Sequence, residues 1–156
     1  VTRLAPLDAP QYQPFPLLPH TEACHLRRQL PIAITQFRVE PKCTIPLHNH
    51  AGYNGVMLGL SGEFRVRNFQ PVGDALPERG SFQVRETIDQ FVTVGRIATL
   101  ARARDNLHEV TAGTDGAEAL DLFTIFPGQA GRSGFFNLGQ QAVDAGRRIH
   151  TAAWRD

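Results

Sequence analysis

The stretch IPLHNH, Ile45 to His50, places two of the chain's six histidines one residue apart, just after a proline. If this stretch is extended, side chains alternate between faces, so His48 and His50 point the same way and Asn49 points away. Their Cα atoms then stand about 6.5 Å apart, and two imidazoles at that spacing can converge on one ion at about 2.0–2.1 Å. Two ligands rarely hold an ion. The candidate third is His108, in the strand-like run RDNLHEVTA. The same residues would also make an ordinary solvated strand face with a lone surface histidine downstream, and a His-x-His pair alone does not separate the two readings.

Other residues with chemistry to offer lie further along. In EALDLFTIF, strict alternation puts Ala119, Asp121, Phe123 and Ile125 on one face. Asp121 is then a carboxylate among apolar neighbours, and such a group requires a partner: an arginine, a ligand histidine or a substrate amine. Tyr53 follows the histidine pair and is placed either to aim its hydroxyl at bound substrate or oxygen, or to pack half-buried. Arg102 and Arg104, in ARARDN, share a face if that run is extended; they read as a solvated strand face or as a clamp on a substrate carboxylate. Phe91, Phe123, Phe126, Phe135 and Phe136 read as core or pocket wall.

The elements that must position these groups are short strands. Runs such as AITQFRVE, NGVMLGL, EFRVRNF, SFQVRET, FVTVG, IATLA, ALDLFTIF and GFFNLG are separated by Pro, Gly, Asn and Asp signals, including Gly62, Gly80, Gly113 and Gly116. Regular spacing of this kind predicts an all-β sandwich or barrel. Helical periodicity is confined to NLGQQAVDAGRR. The first thirty residues carry Pro6, Pro10, Pro14, Pro16 and Pro19, which remove backbone donors and forbid a helix over most of the segment. They read as an extended arm over residues 1–30, packed on a barrel domain over 31–156.

Composition bounds the function. A chain of 156 residues fits one domain, and 42% hydrophobic with 20% charged residues excludes a largely disordered chain. Sixteen Lys plus Arg against fifteen Asp plus Glu give no field that would draw the protein to nucleic acid or an anionic membrane. No apolar run approaches the roughly 18–20 residues of a membrane span, and VTRLAPLDAP lacks the apolar stretch of a signal peptide. The expectation is a cytoplasmic protein with a small-molecule partner, and its oligomeric state is left open. Cys24 and Cys43 are too few for a disulfide framework and read as structural or free thiols.

With Gly52 and Gly55 after the histidine pair and Gly62 twelve residues beyond His50, the region resembles the first motif of the cupin family, G-x5-H-x-H-x3-4-E-x6-G. His108 stands where the second cupin motif supplies its lone histidine. The resemblance implies a double-stranded β-helix, or jelly-roll barrel, and a metal held by His48, His50 and His108. The family's glutamate is Gly55 here, and its first glycine is absent at Lys42-Cys43. Three neutral imidazoles leave a divalent ion its full charge and open positions, which favours an anionic donor, above all a thiolate.

VEPKCTIPLHNHAGYNGVMLGLSGEFRVRNF and NLHEVTAGTDGAEALDLF are further similar to the two motif blocks of the cysteamine dioxygenase and plant cysteine oxidase branch of thiol dioxygenases. That likeness implies a mononuclear Fe(2+) centre that inserts both atoms of O2 into a small thiol to give a sulfinic acid. The second block also carries the aspartate at Asp121, which tilts that residue toward a functional part such as holding the substrate's amine. The chain departs from the branch at Ala51, Tyr53 and Phe126 to Gly128, where the branch has a proline, a methionine and a tyrosine-containing PPY. Two other readings use the same ligands: a three-histidine oxygenase of the β-diketone-cleaving type, and a cupin that binds a metal or small ligand without catalysis.

Overall fold

In a computed structural model, the described residues are 11–15, 18–29, 32–73, 76–126 and 133–155. Ten strands follow one another: β1 (Gln13–Pro14), β2 (Thr21–Gln29), β3 (Ile32–Val39), β4 (Thr44–Asn49), β5 (Tyr53–Pro71), β6 (Ser81–Val92), β7 (Ile97–Leu100), β8 (Leu107–Ile125), β9 (Phe136–Asp144) and β10 (Ile149–Trp154). Every pairing among them is antiparallel, in the order β1-β2-β3-β8-β5-β6-β10-β9, with β4 added on β8 and β7 on β5. The all-β class read from the sequence is the fold of the described residues.

Two long strands organise the barrel. β5 and β8 pair from Tyr53 opposite Ile125 to Phe69 opposite Leu107, with register shifts between Gly59 and Phe64. At the bend Gly62 adopts φ 64°, and a side chain there would collide with the Gly116 carbonyl oxygen, so glycine alone fits. One half of each long strand joins a sheet with β3 and β7, and the other half joins β4 and β6. NGVMLGL and EFRVRNF, read as two strands, are therefore one, as are the histidine run and ALDLFTIF. Gly113 lies inside β8 rather than at a turn.

The apolar residues sort into two clusters. Phe37, Ile45, Phe64, Val66, Val92 and Val110 belong to one, and Leu47, Phe69, Val84, Leu107, Phe136 and Ala152 to the other. Burying a side chain of this size stabilises the fold by about 1.5–3 kcal/mol. Alternation along β8 sends Leu107 into the second cluster and its neighbour His108 into a cavity between the sheets.

One reading from sequence changes. NLGQQAVDAGRR is not a helix: Phe136–Asp144 is β9, and the chain turns through 145–148 into β10. Leu138 pairs with Ala152 and Phe136 with Trp154, so long-range pairing overrides the local period. Of the proline-rich segment, residues 1–10 lie outside the described residues, and Thr21–Gln29 is hydrogen-bonded along β3 as a strand of the sheet.

Candidate metal centre

β4 and β8 bring the histidines together. His48 stands directly opposite His108, with ring centroids 4.2 Å apart. His50, just past the end of β4, places its ring 4.9 Å from His48 and 5.1 Å from His108. One ring nitrogen from each lies within 4.8 Å of the others, and the Nε2 atoms of His48 and His50 are 3.1 Å apart. An ion at about 2.0–2.1 Å from each nitrogen, at tetrahedral or octahedral angles, separates its ligands by about 2.8–3.4 Å. The donor set fits a divalent transition metal.

The backbone around the trio is held by side-chain bonds. The Pro46 carbonyl can only accept, so the 2.8 Å contact makes His48 Nδ1 the donor and leaves Nε2 free for an ion. Asn106 grips the His50 backbone twice, accepting from its N–H at 2.8 Å and donating to its carbonyl at 3.1 Å. Asn49, pointing away from the trio, accepts from the Gly134 N–H at 2.8 Å. Asn68 stands opposite His108 on β5 and donates through Nδ2 to the Asp105 carbonyl at 2.9 Å. Sequence reading missed Asn68 and Asn106; the only trace of Asn106 was its place two residues before His108.

Electrostatics keep the three rings neutral. Burial lowers His48 to about 4, against the Pro46 bond, and lowers His50 to about 3 with help from the neighbouring His48 charge. His108 is lowered well below its ordinary value, first by burial and then by its two histidine neighbours. His48 and His50 keep some exposed surface, but it faces the cavity rather than bulk water, so desolvation still dominates. Neutral imidazole is the form that binds metals.

The cavity, about 380 Å³, is lined by the three histidines together with Tyr53, Asp121 and Phe123. Asp121 stands opposite Thr35 on β3 and Met57 on β5. Burial alone pushes its carboxyl up to about 7, and no charged or hydrogen-bonding group among the described residues offsets the shift. The partner that a buried carboxylate requires is thus not supplied from among the described residues. The Tyr53 ring lies 6.2 Å from His50 and 6.0 Å from Phe123. Phe123 and Phe135 wall the centre, with ring centroids 4.8 Å from His50 and 5.5 Å from His48.

Other candidates lie elsewhere. Arg102 and Arg104 do not line the cavity, because residues 101–104 close on themselves through an Ala101–Arg104 bridge instead of extending. Arg102 lies over Phe126, and Arg104 pairs with Asp105 at 3.1 Å. Phe91, read as core or pocket wall, is 61% exposed, and Phe126 is also on the surface. Phe136 belongs to the second apolar cluster. Cys24 and Cys43 are free thiols.

No family model matches the sequence, and no curated protein matches it. Solved structures do. The chain is similar to the polyketide cyclase RemF from Streptomyces resistomycificus, at 15% identity and TM-score 0.58, over 90% of this chain and 89% of that one. It is similar to an RmlC-like cupin from Shewanella frigidimarina, at 13% identity and TM-score 0.56, over 76% and 86% of the two chains. KdgF from a Halomonas species matches at 12% identity and TM-score 0.54, over 74% and 88%. At these identities the likeness is one of fold.

Proposed function

We propose that this cupin β-barrel is a non-haem iron(II) dioxygenase that oxidises an amine-bearing thiol to a sulfinic acid. The observation that carries the reading is a centre of three neutral histidines facing a carboxylate that has no partner among the described residues. A cation fits that carboxylate, and a thiolate fits a dication with no anionic protein ligand.

Iron(II), when bound by His48, His50 and His108, supplies the redox chemistry that joins O2 to a thiolate. The net reaction balances without a reductant: the thiol sulfur gives up four electrons, O2 takes them, and both oxygen atoms end on sulfur. The protein's own work is positional. Asp121 holds the substrate ammonium, which draws the carboxyl down from its raised value and fixes the carboxylate form. The Phe123 and Phe135 rings exclude water, and Asn106 fixes the His50 backbone. Tyr53 presents its hydroxyl from the cavity wall.

Oxygen uptake by the iron-loaded protein with cysteamine, with sulfinate traced from ¹⁸O2, tests the reading. Both labelled atoms are expected in the product. Absence of sulfinate from every aminothiol and cysteinyl peptide sinks the reading. The β-diketone-cleaving alternative draws support from the apolar character of the cavity wall, and C–C cleavage of a diketone in the same assay favours it.

A further inference from the structure

The cavity is larger than the smallest substrate of the proposed reaction. Cysteamine fills the space of roughly four waters at about 30 Å³ each. The cavity is about 380 Å³, inside the roughly 300–1,000 Å³ range that encloses drug-sized molecules. A two-carbon aminothiol would leave most of it without a partner.

The remaining space is mostly apolar, with Thr21, Thr35, Asn68 and Thr99 as its polar lining, and is ordered by strand register. On one sheet Thr35, Asp121, Met57 and Ala98 form a single cross-strand row. On the other, Ile45, Val110 and Val66 form a second row, reached along the strands from His48 and His108. Both rows line the cavity, and Met57, Ala98, Ile45, Val66 and Val110 are each at most 8% exposed. A group attached beside an amine on Asp121 therefore meets hydrocarbon from both sheets. Such walls reward apolar atoms through burial and dispersion.

We propose that the substrate is amphipathic, with its thiol and amine at the histidine centre and Asp121 and an apolar body of several carbon atoms seated between these two rows. The head group rests on the thiol-oxidising reading above; the body follows from the cavity.

The test uses cysteamine and its homologues bearing a butyl or benzyl group on the carbon next to the amine. Binding to the iron-loaded wild-type protein is measured by calorimetry without oxygen, and sulfinate formation is then measured with oxygen. Each buried methylene is expected to tighten binding about fourfold, so the butyl homologue should bind at least tenfold more tightly than cysteamine. Ala98→Leu, which narrows the space, should shrink that ratio. Equal or falling affinity along the series overturns the proposal, as does failure of every member to bind. Affinity that rises along the series with no sulfinate from any member upholds the apolar body and rejects thiol oxidation instead.

Discussion

Gly55 and Phe123 are cross-strand partners on β5 and β8, and a Cβ placed on Gly55 would fall 2.8 Å from Cε1 of the Phe123 ring. The phenyl ring occupies the space that a side chain at position 55 would need. Position 55 is where the cupin motif would place its glutamate, and the Phe123 ring leaves no room there for a side chain in the present packing. Gly55→Glu alone should therefore destabilise the protein by about 1–3 kcal/mol, as overpacking does. Combined with Phe123→Ala, the same glutamate should fit, recover stability and tighten metal binding. Chemical denaturation and metal titration of the single and double variants check both outcomes.

If His48, His50 and His108 hold the ion, three ligands leave no redundancy. His48→Ala and His108→Ala should each lose nearly all bound metal, measured by elemental analysis after loading and desalting. Full occupancy in either variant rejects the site.

Asn106 holds the His50 backbone through its side chain, and its own backbone also hydrogen-bonds His108. Asn106→Ala should weaken metal affinity by about 10–100-fold, the usual effect of removing a group that orients a ligand. Competition with a chelator measures this. An unchanged affinity would mean that β4 holds His50 in place without help.

Asp121→Asn should keep its metal, because the carboxylate is not among the converging ligand atoms, and should lose most sulfinate formation from aminothiols. A thiol without an amine should be much less affected. Unchanged turnover with cysteamine removes the role given to Asp121.

The same variant has a pH signature. The Asp121 carboxyl, raised from its ordinary 3.8 to about 7, holds its proton in the folded state where the unfolded chain has released it. Its stabilising effect is therefore complete below about pH 3.8 and is lost as pH rises through about 7. The histidines run the opposite way: lowered below 6.5, they favour folding above that value and cost stability as pH falls toward about 4. They are common to both proteins and cancel in the comparison. From pH 5 to pH 8, Asp121→Asn should gain about 1–3 kcal/mol on the wild type without substrate, read from urea unfolding.

Core packing gives a check independent of the site. Phe64 is fully buried at the bend of β5, and Phe64→Ala should cost about 3–5 kcal/mol in denaturant unfolding.

The sequence by itself determined what depends on neighbours along the chain. Alternation in a strand fixes which side chains share a face, so His48 with His50, and Asp121 with Phe123, could be read directly, as could the all-β class from glycine and proline punctuation. Tertiary structure decided whatever depends on register between distant strands. It set His108 opposite His48, laid Phe123 over Gly55, gave Asn106 its hold on His50, and joined apparent pairs of strands across Gly62. It also made β9 of a segment whose local period was helical, and put Phe91 on the surface. The reason is physical: backbone pairing and burial are energies between segments tens of residues apart, and one residue of slip in register reverses every face.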